Sequence, residues 1–311
     1  MPIFGTGGAM TIVAHQDDDI LFMNPDILHS IEAGVSNTTI YVTAGDSGLD
    51  EAYWSAREEG AKAAYLLMAG GGTWVDETIT LEINGQTFEI ASSYLAENPG
   101  IRLYFLRLPD GGGMLEPEEY EQLARLESGD LGNVASIDGA NVYARDDLVN
   151  VLTELMELHA PTEFRLQVAD GGYAGGEHTD HVHATEFALE ALAGYSGESY
   201  AVTQYVQYQS GTMPANLSDE DAARALEIMQ AYAEHDLAVL DETGQLAQVY
   251  VDWTGRQYVA EQYTVDTVGE PTDPTDPTEP VDPGTPTDPS AGSMVYSLAG
   301  PDAFLFTVDA T

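Results

Sequence analysis

Strand-like and helix-like stretches follow one another in a regular order along most of the chain. "MTIVAH" near the start has the apolar, β-branched character of a short buried strand, and "NPDILHSIEAG" after it has the apolar spacing of a helix. "TTIYVTAGDSG" and "EAYWSAREEGAKAAYLLMAG" repeat the same order. A strand followed each time by a helix is typical of a mostly parallel sheet with helices on both faces. We therefore expect a Rossmann-like α/β fold.

One stretch departs from this order. "TITLEINGQTFEI" contains two alternating runs separated by Asn84-Gly85, a pair that favours a two-residue hairpin turn, so we expect an inserted β-hairpin at the rim of the sheet. After it, the strand-like "IRLYFLRLPDGG" and "EFRLQVADGG" alternate with the helical "DDLVNVLTELMELHAP" and "HVHATEFALEALAG". The pattern continues to about residue 265, and the α/β domain is predicted to span residues 1–268.

The composition changes after this domain. Residues 269–290 repeat proline, threonine and acidic residues, which favours an extended linker over a packed element. Residues 291–311 alternate as strands do but are too few to bury a core, so we interpret them as the start of a truncated β module or a tail. Because Pro/Thr-rich linkers are common in exported bacterial proteins, we expect an extracellular or secreted protein. The first ten residues themselves lack the features of a signal peptide.

Acidic residues far outnumber basic ones. The chain has 53 Asp and Glu against 9 Lys and Arg, a formal net charge of -44 at pH 7. So negative a surface repels nucleic-acid backbones and anionic lipid headgroups, which argues against both as partners. The absence of cysteine excludes disulfides and thiolate metal ligands. No apolar run approaches the roughly 20 residues that span a bilayer, and the oligomeric state stays open.

Histidines and aspartates cluster at two predicted strand-to-helix junctions. "AHQDDD" places His15, Asp17 and Asp18 directly after the first strand, and "GGEHTDHVHA" places His178 and His181 at the start of a later helix. In doubly wound sheets, ligands bind outside the carboxyl ends of the strands, where both motifs would emerge. Imidazole and carboxylate ligands suit zinc, with iron, cobalt or manganese as alternatives. Each motif alone is equally consistent with a polar loop at a helix start, but the two together favour a metal site.

The two motifs resemble those of a known enzyme family. "AHQDDD" is similar to the AHPDDE motif, and "HTDH" to the H-x-D-H motif, of the PIG-L or LmbE-like deacetylases. These metal-dependent enzymes remove acetyl groups from N-acetylglucosamine-containing glycoconjugates. "TAGDSG" and "YWSAREEGAKAAY" also resemble the family's T-x-G segment and the helix that follows it. The resemblance covers residues 10 to about 190 well and implies a zinc-dependent N-deacetylase whose substrate is an amino sugar or a glycan.

The resemblance also implies a role for each residue of the motifs. His15, Asp18 and His181 would be the metal ligands, and three protein ligands leave a position for water. Asp17 would be the general base that takes the water's proton. His178 would be the acid or the stabiliser of the oxyanion.

Other residues of these stretches have simpler interpretations. By the same resemblance, Asp180 would orient a histidine from behind the ligands. Asp19 is expected to face the start of the following helix, where negative charge is favoured. Several tyrosines near the end of the domain could stack on sugar rings, but a strand core or rim is the favoured interpretation. They are Tyr195, Tyr200, Tyr205 and Tyr208.

Two other functions are compatible with the same residues. The site could hydrolyse another small amide or ester instead of an N-acetylated sugar. Alternatively, the protein could be a non-catalytic carbohydrate-binding module that keeps the metal without turnover. Because the candidate set is complete, the sequence favours an active enzyme over such a module; the set is His15, Asp17, Asp18, His178 and His181.

Overall fold

The computed structural model of the protein describes residues 6–111, 121–169 and 177–266. Ten strands lie in these ranges. Their β-branched and aromatic residues pack well on a pleated surface, as the sequences AMTIV and NTTIYVT illustrate. The strands are β1 (Ala9–Val13), β2 (Asn37–Thr43), β3 (Trp74–Ile83), β4 (Gln86–Leu95), β5 (Asn98–Leu108), β6 (Val134–Ala135), β7 (Val142–Tyr143), β8 (Glu163–Gln167), β9 (Ser199–Tyr205) and β10 (Val259–Asp266).

Eight of these strands form one sheet in the order β10-β9-β8-β1-β2-β5-β4-β3. The five central strands, from β9 to β5 in this order, run parallel to one another. β10 adds to one edge and the β3-β4 hairpin to the other, both in antiparallel fashion. β6 and β7 form a separate short hairpin. The predicted mostly parallel sheet is therefore confirmed.

Eight α-helices accompany the sheet in the described residues. The longest begins after Asp50, whose side chain accepts a hydrogen bond from the Tyr53 N–H and so caps the helix. Among the described residues, no helix combines the length and the apolar character that a membrane span requires. The helices are α1 (Asp18–Phe22), α2 (Asp26–Glu32), α3 (Glu51–Met68), α4 (Gln122–Glu127), α5 (Arg145–His159), α6 (Thr179–Gly194), α7 (Asp219–Ala233) and α8 (Gln248–Thr254).

The two faces of the sheet are buried under different helices. Successive side chains of β1 point to opposite faces, so Met10 and Ile12 join one apolar cluster and Val13 joins the other. Helices α5 and α6 contribute to the first cluster, and α2, α3 and α7 to the second. Helices on both faces are thus confirmed. Because both faces are covered, the carboxyl edge of the parallel strands is where polar side chains can meet.

The hairpin predicted around Asn84-Gly85 is present. The φ angles of these residues are 52° and 83°, the left-handed values that a two-residue hairpin turn requires. β4 pairs with β5, so the hairpin extends the sheet at its edge. The predicted linker 269–290 and the segment 291–311 lie outside the described residues, and the domain boundaries stay a prediction.

Candidate metal centre

The loop after β1 carries the first motif. His15, Asp17 and Asp18 are all buried. The Ala14 N–H donates to Gln167 Oε1 of the neighbouring strand β8 at 3.1 Å, which fixes the end of β1. The His15 N–H donates to Asp18 Oδ2 at 2.6 Å, so the Asp18 carboxylate lies back over the loop at the start of α1.

Helix α6 carries the second motif. It begins at Thr179, and His178 directly before it accepts the Asp180 N–H through Nδ1 at 3.2 Å. His181 lies in the first turn of the helix and is completely buried. The ring centroids of His181 and His15 are 5.1 Å apart. The fold thus brings the two motifs, which are far apart in sequence, to one edge of the sheet.

Three side chains from the two motifs converge. His15 Nδ1 and His181 Nε2 are 3.2 Å apart. Asp18 lies 3.3 Å from the first nitrogen through Oδ2 and 3.0 Å from the second through Oδ1. Two imidazole nitrogens and a carboxylate form the donor set of a three-ligand zinc site. The structure therefore places all three predicted metal ligands together, and their chemistry fits a divalent cation.

The charges of these ligands depend on one another. Burial disfavours an ionised Asp18, but His181 and His15 outweigh it and hold the pKa of Asp18 well below its usual range. Burial also opposes protonation of His15, but Asp18 and Asp110 raise the pKa of His15 well above its usual value. A bound cation would replace these imidazole protons, because metal ligands must be deprotonated.

A carboxylate behind His181 was not indicated by the sequence patterns. Glu177 Oε2 lies 3.4 Å from His181 Nδ1, the ring nitrogen opposite the one that faces Asp18. Glu177 also accepts the backbone N–H groups of Tyr208 and Gln209, at 3.3 and 3.2 Å. A carboxylate in this position fixes the orientation of a ligating imidazole. The one signal that the sequence offered was its position four residues before His181.

The Asp180 carboxylate lies close to two histidine rings without a hydrogen bond to either. Its Oδ2 is 3.7 Å from His15 Nε2 and 3.9 Å from His178 Nδ1, beyond hydrogen-bond length. The same oxygen accepts the Gly111 N–H at 2.7 Å. A Cβ atom at residue 111 would lie 2.8 Å from Asp180 Oδ1, so this close approach requires glycine. The role of Asp180 as an orienting residue stays a prediction.

Asp17, the predicted general base, pairs with a buried arginine. Arg57 of α3 donates from Nη2 to Asp17 Oδ1 at 2.5 Å. It also donates from Nε to Tyr232 Oη at 2.8 Å and from Nη1 to the Gly45 carbonyl at 2.7 Å. Its Nε lies 3.2 Å from Asp236 Oδ2. Burial raises the pKa of Asp17, while Arg57 opposes the shift.

The sequence did not single out Arg57, although it lies in the helix that carries part of the family resemblance. The composition held a general signal. With 9 Lys and Arg against 53 Asp and Glu, each basic side chain is expected to pair with a carboxylate. Its partner Tyr232 lies 175 positions further along the chain. Pairing over such a separation is decided by the fold.

Asp19 has a different environment from its two neighbours. It is fully buried, and its carboxylate accepts hydrogen bonds from Tyr41 Oη of β2 at 3.1 Å and Tyr65 Oη of α3 at 2.7 Å. Burial raises the pKa of Asp19 to about 7, and the bonds from Tyr65 and Tyr41 oppose this shift. Asp19 lies in the first turn of α1, and its carboxylate bonds to two tyrosines. The sequence did not predict these two partners.

A cavity of about 310 Å³ opens beside the cluster. Asp110, which follows β5 and was not predicted, has Oδ1 3.5 Å from His178 Nε2 and 3.6 Å from His15 Nε2. Burial and the nearby His15 lower the pKa of His178 to about 4, so its ring is neutral near pH 7. Asp110 Oδ2 accepts hydrogen bonds from the N–H and the hydroxyl of Ser47, at 3.2 and 3.3 Å.

Of the four tyrosines considered for sugar stacking, one lines this cavity. Tyr208 lies in a short 3-10 helix, Tyr208–Thr212, and stacks on Trp253 with ring centroids 5.1 Å apart. Tyr195, Tyr200 and Tyr205 are buried in the two apolar clusters, as the favoured interpretation predicted.

Comparison with known proteins identifies the family to which this chain is similar. The model of the family described as PIG-L: GlcNAc-PI de-N-acetylase matches residues 10–192, more than half of the 311-residue chain. No curated protein sequence gives a significant match. The residues that follow 192, including β9, β10, α7 and α8, lie outside the family match.

Three solved structures are among those similar to this chain. The zinc-inhibited form of teicoplanin deacetylase Orf2 is 13% identical, with 78% of this chain and 89% of that chain covered and a TM-score of 0.45. N,N'-diacetylchitobiose deacetylase from Pyrococcus horikoshii is 15% identical, with 73% and 70% covered and a TM-score of 0.43. GalB, a 4-carboxy-2-hydroxymuconate hydratase from Pseudomonas putida, is 13% identical, with 80% and 83% covered and a TM-score of 0.45.

Proposed function

This chain belongs to the PIG-L family of metal-dependent deacetylases, and on that premise we propose that it is a zinc-dependent hydrolase of N-acetylglucosamine-type amino sugars or glycoconjugates. The reaction adds water across the acetamide, breaks the C–N bond and releases acetate and a free amine. The observation that carries the proposal is the convergence of His15 Nδ1, His181 Nε2 and Asp18 beside the Asp17 carboxylate.

His15, Asp18 and His181 would hold the zinc ion. When bound, zinc supplies a Lewis acid that polarises the acetamide carbonyl and lowers the pKa of a water molecule. Iron, cobalt and manganese stay alternatives, because imidazole and carboxylate ligands also bind them.

Asp17 would act as the general base. Its Oδ1 is held by Arg57 at 2.5 Å, which fixes the carboxylate at the edge of the cavity. From there it accepts the proton of the attacking water, and it returns that proton to the nitrogen as the amine departs. Fixing a reacting group in this way reduces the ordering cost of the transition state.

His178 would stabilise the charge that develops on the carbonyl oxygen. Its Nδ1 accepts the Asp180 N–H, so in the neutral ring the proton is on Nε2, which faces Asp110 at the cavity. Because its pKa is lowered to about 4, the ring is a neutral hydrogen-bond donor near pH 7 and not a charged acid. A donor placed for the oxyanion lowers the barrier by electrostatic stabilisation.

Acetate release from N-acetylglucosamine-bearing glycans tests this function directly. We expect activity that chelation abolishes and that added zinc or cobalt restores, because a neutral-pH water nucleophile requires a Lewis acid. His181→Ala should lose bound metal as well as activity. Full activity in exhaustively chelated protein would contradict the mechanism, and release of another acid or alcohol without acetate would support the alternative amide or ester hydrolase.

His29→Ala is the matched control for His181→Ala. His29 also lies on a helix and also has an aspartate partner, with Nε2 2.9 Å from Asp221 Oδ1. It belongs to α2, away from the two motifs, so this variant should keep its metal and its turnover. Equal metal loss in both variants would show that the effect on His181 is not one of ligation.

A further inference from the structure

The described lining of the cavity beside the metal cluster contains three carboxylates, and the arginine among its residues already has partners. Asp17, Asp110 and Asp236 line it, and Arg57 is the one Lys or Arg side chain among the described lining residues. All three guanidinium nitrogens of Arg57 already hold partners, which include Asp17, Asp236 and the Gly45 carbonyl. Away from the metal position, a negatively charged group on a substrate would therefore meet these carboxylates, with no unpaired Lys or Arg among the described lining residues to offset them.

A second cavity, of about 610 Å³, lies next to the first and has the same character. Asp46 lines it, while the adjacent Ser47 lines the first cavity. The Asp110 N–H donates to Asp46 Oδ1 at 2.8 Å and joins the two walls. Glu51 and Asp138 also line the second cavity, and none of its described lining residues is Lys, Arg or His.

One of these carboxylates already has a cationic partner. Asp138 Oδ2 accepts from Arg107 Nη1 at 2.9 Å. Asp46 instead accepts backbone N–H groups, from Asp110 at 2.8 Å and from Gly48 at 3.1 Å, and so keeps its full negative charge when ionised. Glu51 is exposed at the start of α3. Carboxylates therefore line both cavities, on the two sides of the contact between Asp46 and Asp110.

Three tyrosines contribute to the uncharged part of the first cavity. Tyr53, Tyr208 and Tyr250 line it, and Tyr208 is held flat against Trp253 with an interplanar angle of 16°. Aromatic faces of this kind pack on the apolar faces of a ligand ring without requiring a charge on the ligand. The lining thus offers contact area to a neutral sugar and repulsion to an anionic one.

We propose that the site selects amino sugars by charge, so that it accepts substrates whose groups around the acetamide are neutral or cationic and disfavours phosphorylated or carboxylated ones. This inference rests on the proposed deacetylase function, which supplies the reaction. The formal charge of -44 on the whole chain acts in the same direction, because it lowers the concentration of anions near the protein.

Three matched substrates test the selection. They are methyl N-acetylglucosaminide, its 6-phosphate and its 6-amino-6-deoxy derivative, which share the acetamide and differ in one group. In low salt, kcat/KM for acetate release should be roughly tenfold or more lower for the 6-phosphate than for the neutral sugar, and equal or higher for the 6-amino sugar. The gap should narrow in 1 M salt, where the screening length falls to about 3 Å.

Two variants that each replace a glutamate by neutral glutamine sharpen the test. Glu51→Gln removes a charge from the second cavity and should raise the ratio of kcat/KM for the 6-phosphate over the neutral sugar about two- to fivefold. Glu32→Gln is its control, because Glu32 ends α2 and precedes the amino end of β2, at the opposite edge of the sheet. This control should leave the ratio unchanged.

The outcomes separate the two proposals. Acetate from all three sugars at equal kcat/KM, or a preference for the 6-phosphate, would overturn charge selection and leave the deacetylase function intact. Acetate from none of them, nor from larger N-acetylglucosamine glycans, would overturn the proposed function itself. An equal effect of Glu51→Gln and Glu32→Gln on the ratio would show that the cavity carboxylates do not make the selection.

Discussion

Two regions of the molecule contribute to the site in different ways. Residues 10–192, which the family model matches, contain the three candidate metal ligands and the predicted base. Residues 193–266 contain none of these ligands, yet Tyr208, Asp236 and Tyr250 from this region line the cavity. The first region thus contains the predicted ligands and base, while the second supplies part of the cavity wall beside them.

The second region also contacts the site from behind. Tyr232 Oη accepts from Arg57 and donates to Asp236 Oδ2, so α7 and the turn after it hold the arginine that pairs with the base. The backbone of Tyr208 and its neighbour donates to Glu177, which stands behind His181. Residues beyond the family match therefore contact both the arginine that pairs with the predicted base and the carboxylate beside one predicted ligand.

The largest effects are expected from the adjacent aspartates of the first region. Asp18→Asn should lose most of its bound metal, and turnover should fall at least as far as in Asp17→Asn. Asp17→Asn should keep its metal but lose turnover by roughly two to four orders of magnitude, the range of general-base contributions. Metal analysis and acetate release measured on both variants check this.

Asp19→Asn is the control in the same loop. Because Asp19 bonds to Tyr41 and Tyr65 instead of the cluster, the variant should keep metal and turnover and lose about 1 to 2 kcal/mol of stability. Denaturant unfolding measures that loss. Normal turnover in Asp17→Asn, or normal metal content in Asp18→Asn, would show that the roles are assigned wrongly.

An intermediate effect is expected from the second region. Tyr232→Phe removes a hydroxyl that bonds to Arg57 at 2.8 Å and to Asp236 at 2.9 Å. We expect kcat to fall about tenfold, because the predicted base is less well fixed and a small misplacement of a reacting group is costly. Metal content and KM should change little. Steady-state kinetics with metal analysis measure this separation.

Tyr195→Phe is the matched control for Tyr232→Phe. Its hydroxyl is also buried and also makes a hydrogen bond, to the Pro161 carbonyl at 2.9 Å, but it belongs to the apolar cluster on the other face. This variant should lose stability without losing kcat. If the two variants have the same kcat, the second region does not position the base.

The smallest effect is expected from removal of the chain after residue 268. The Pro/Thr/Asp-rich composition of residues 269–290 is that of an extended spacer, which makes few packed contacts. We expect kcat/KM within about twofold of the full chain. Loss of folded, active protein would mean that this tail belongs to the fold. The extracellular location inferred from the same composition stays a prediction.

Much of the fold could be predicted because short stretches of sequence specify the individual strands, helices and turns. The alternation in "TITLEINGQTFEI" around Asn84-Gly85 specifies a hairpin by itself, and the hairpin is present between β3 and β4. The repeated strand and helix patterns specify a parallel sheet because other packings would expose the apolar faces. The convergence of the predicted ligands could be anticipated for a similar reason, since His15 follows the first strand and His181 stands in a short motif at the start of a helix.

The tertiary structure alone decided which distant groups support these motifs. Arg57, Asp110 and Glu177 are ordinary polar residues in their local sequence. No periodicity distinguishes them from the other charged residues among the 9 Lys and Arg and 53 Asp and Glu of the chain. Their partners lie on other elements, as Tyr232 does for Arg57. A hydrogen bond or ion pair depends on distances of a few ångströms between atoms, and for residues far apart in sequence those distances are set only when the sheet and its helices have packed.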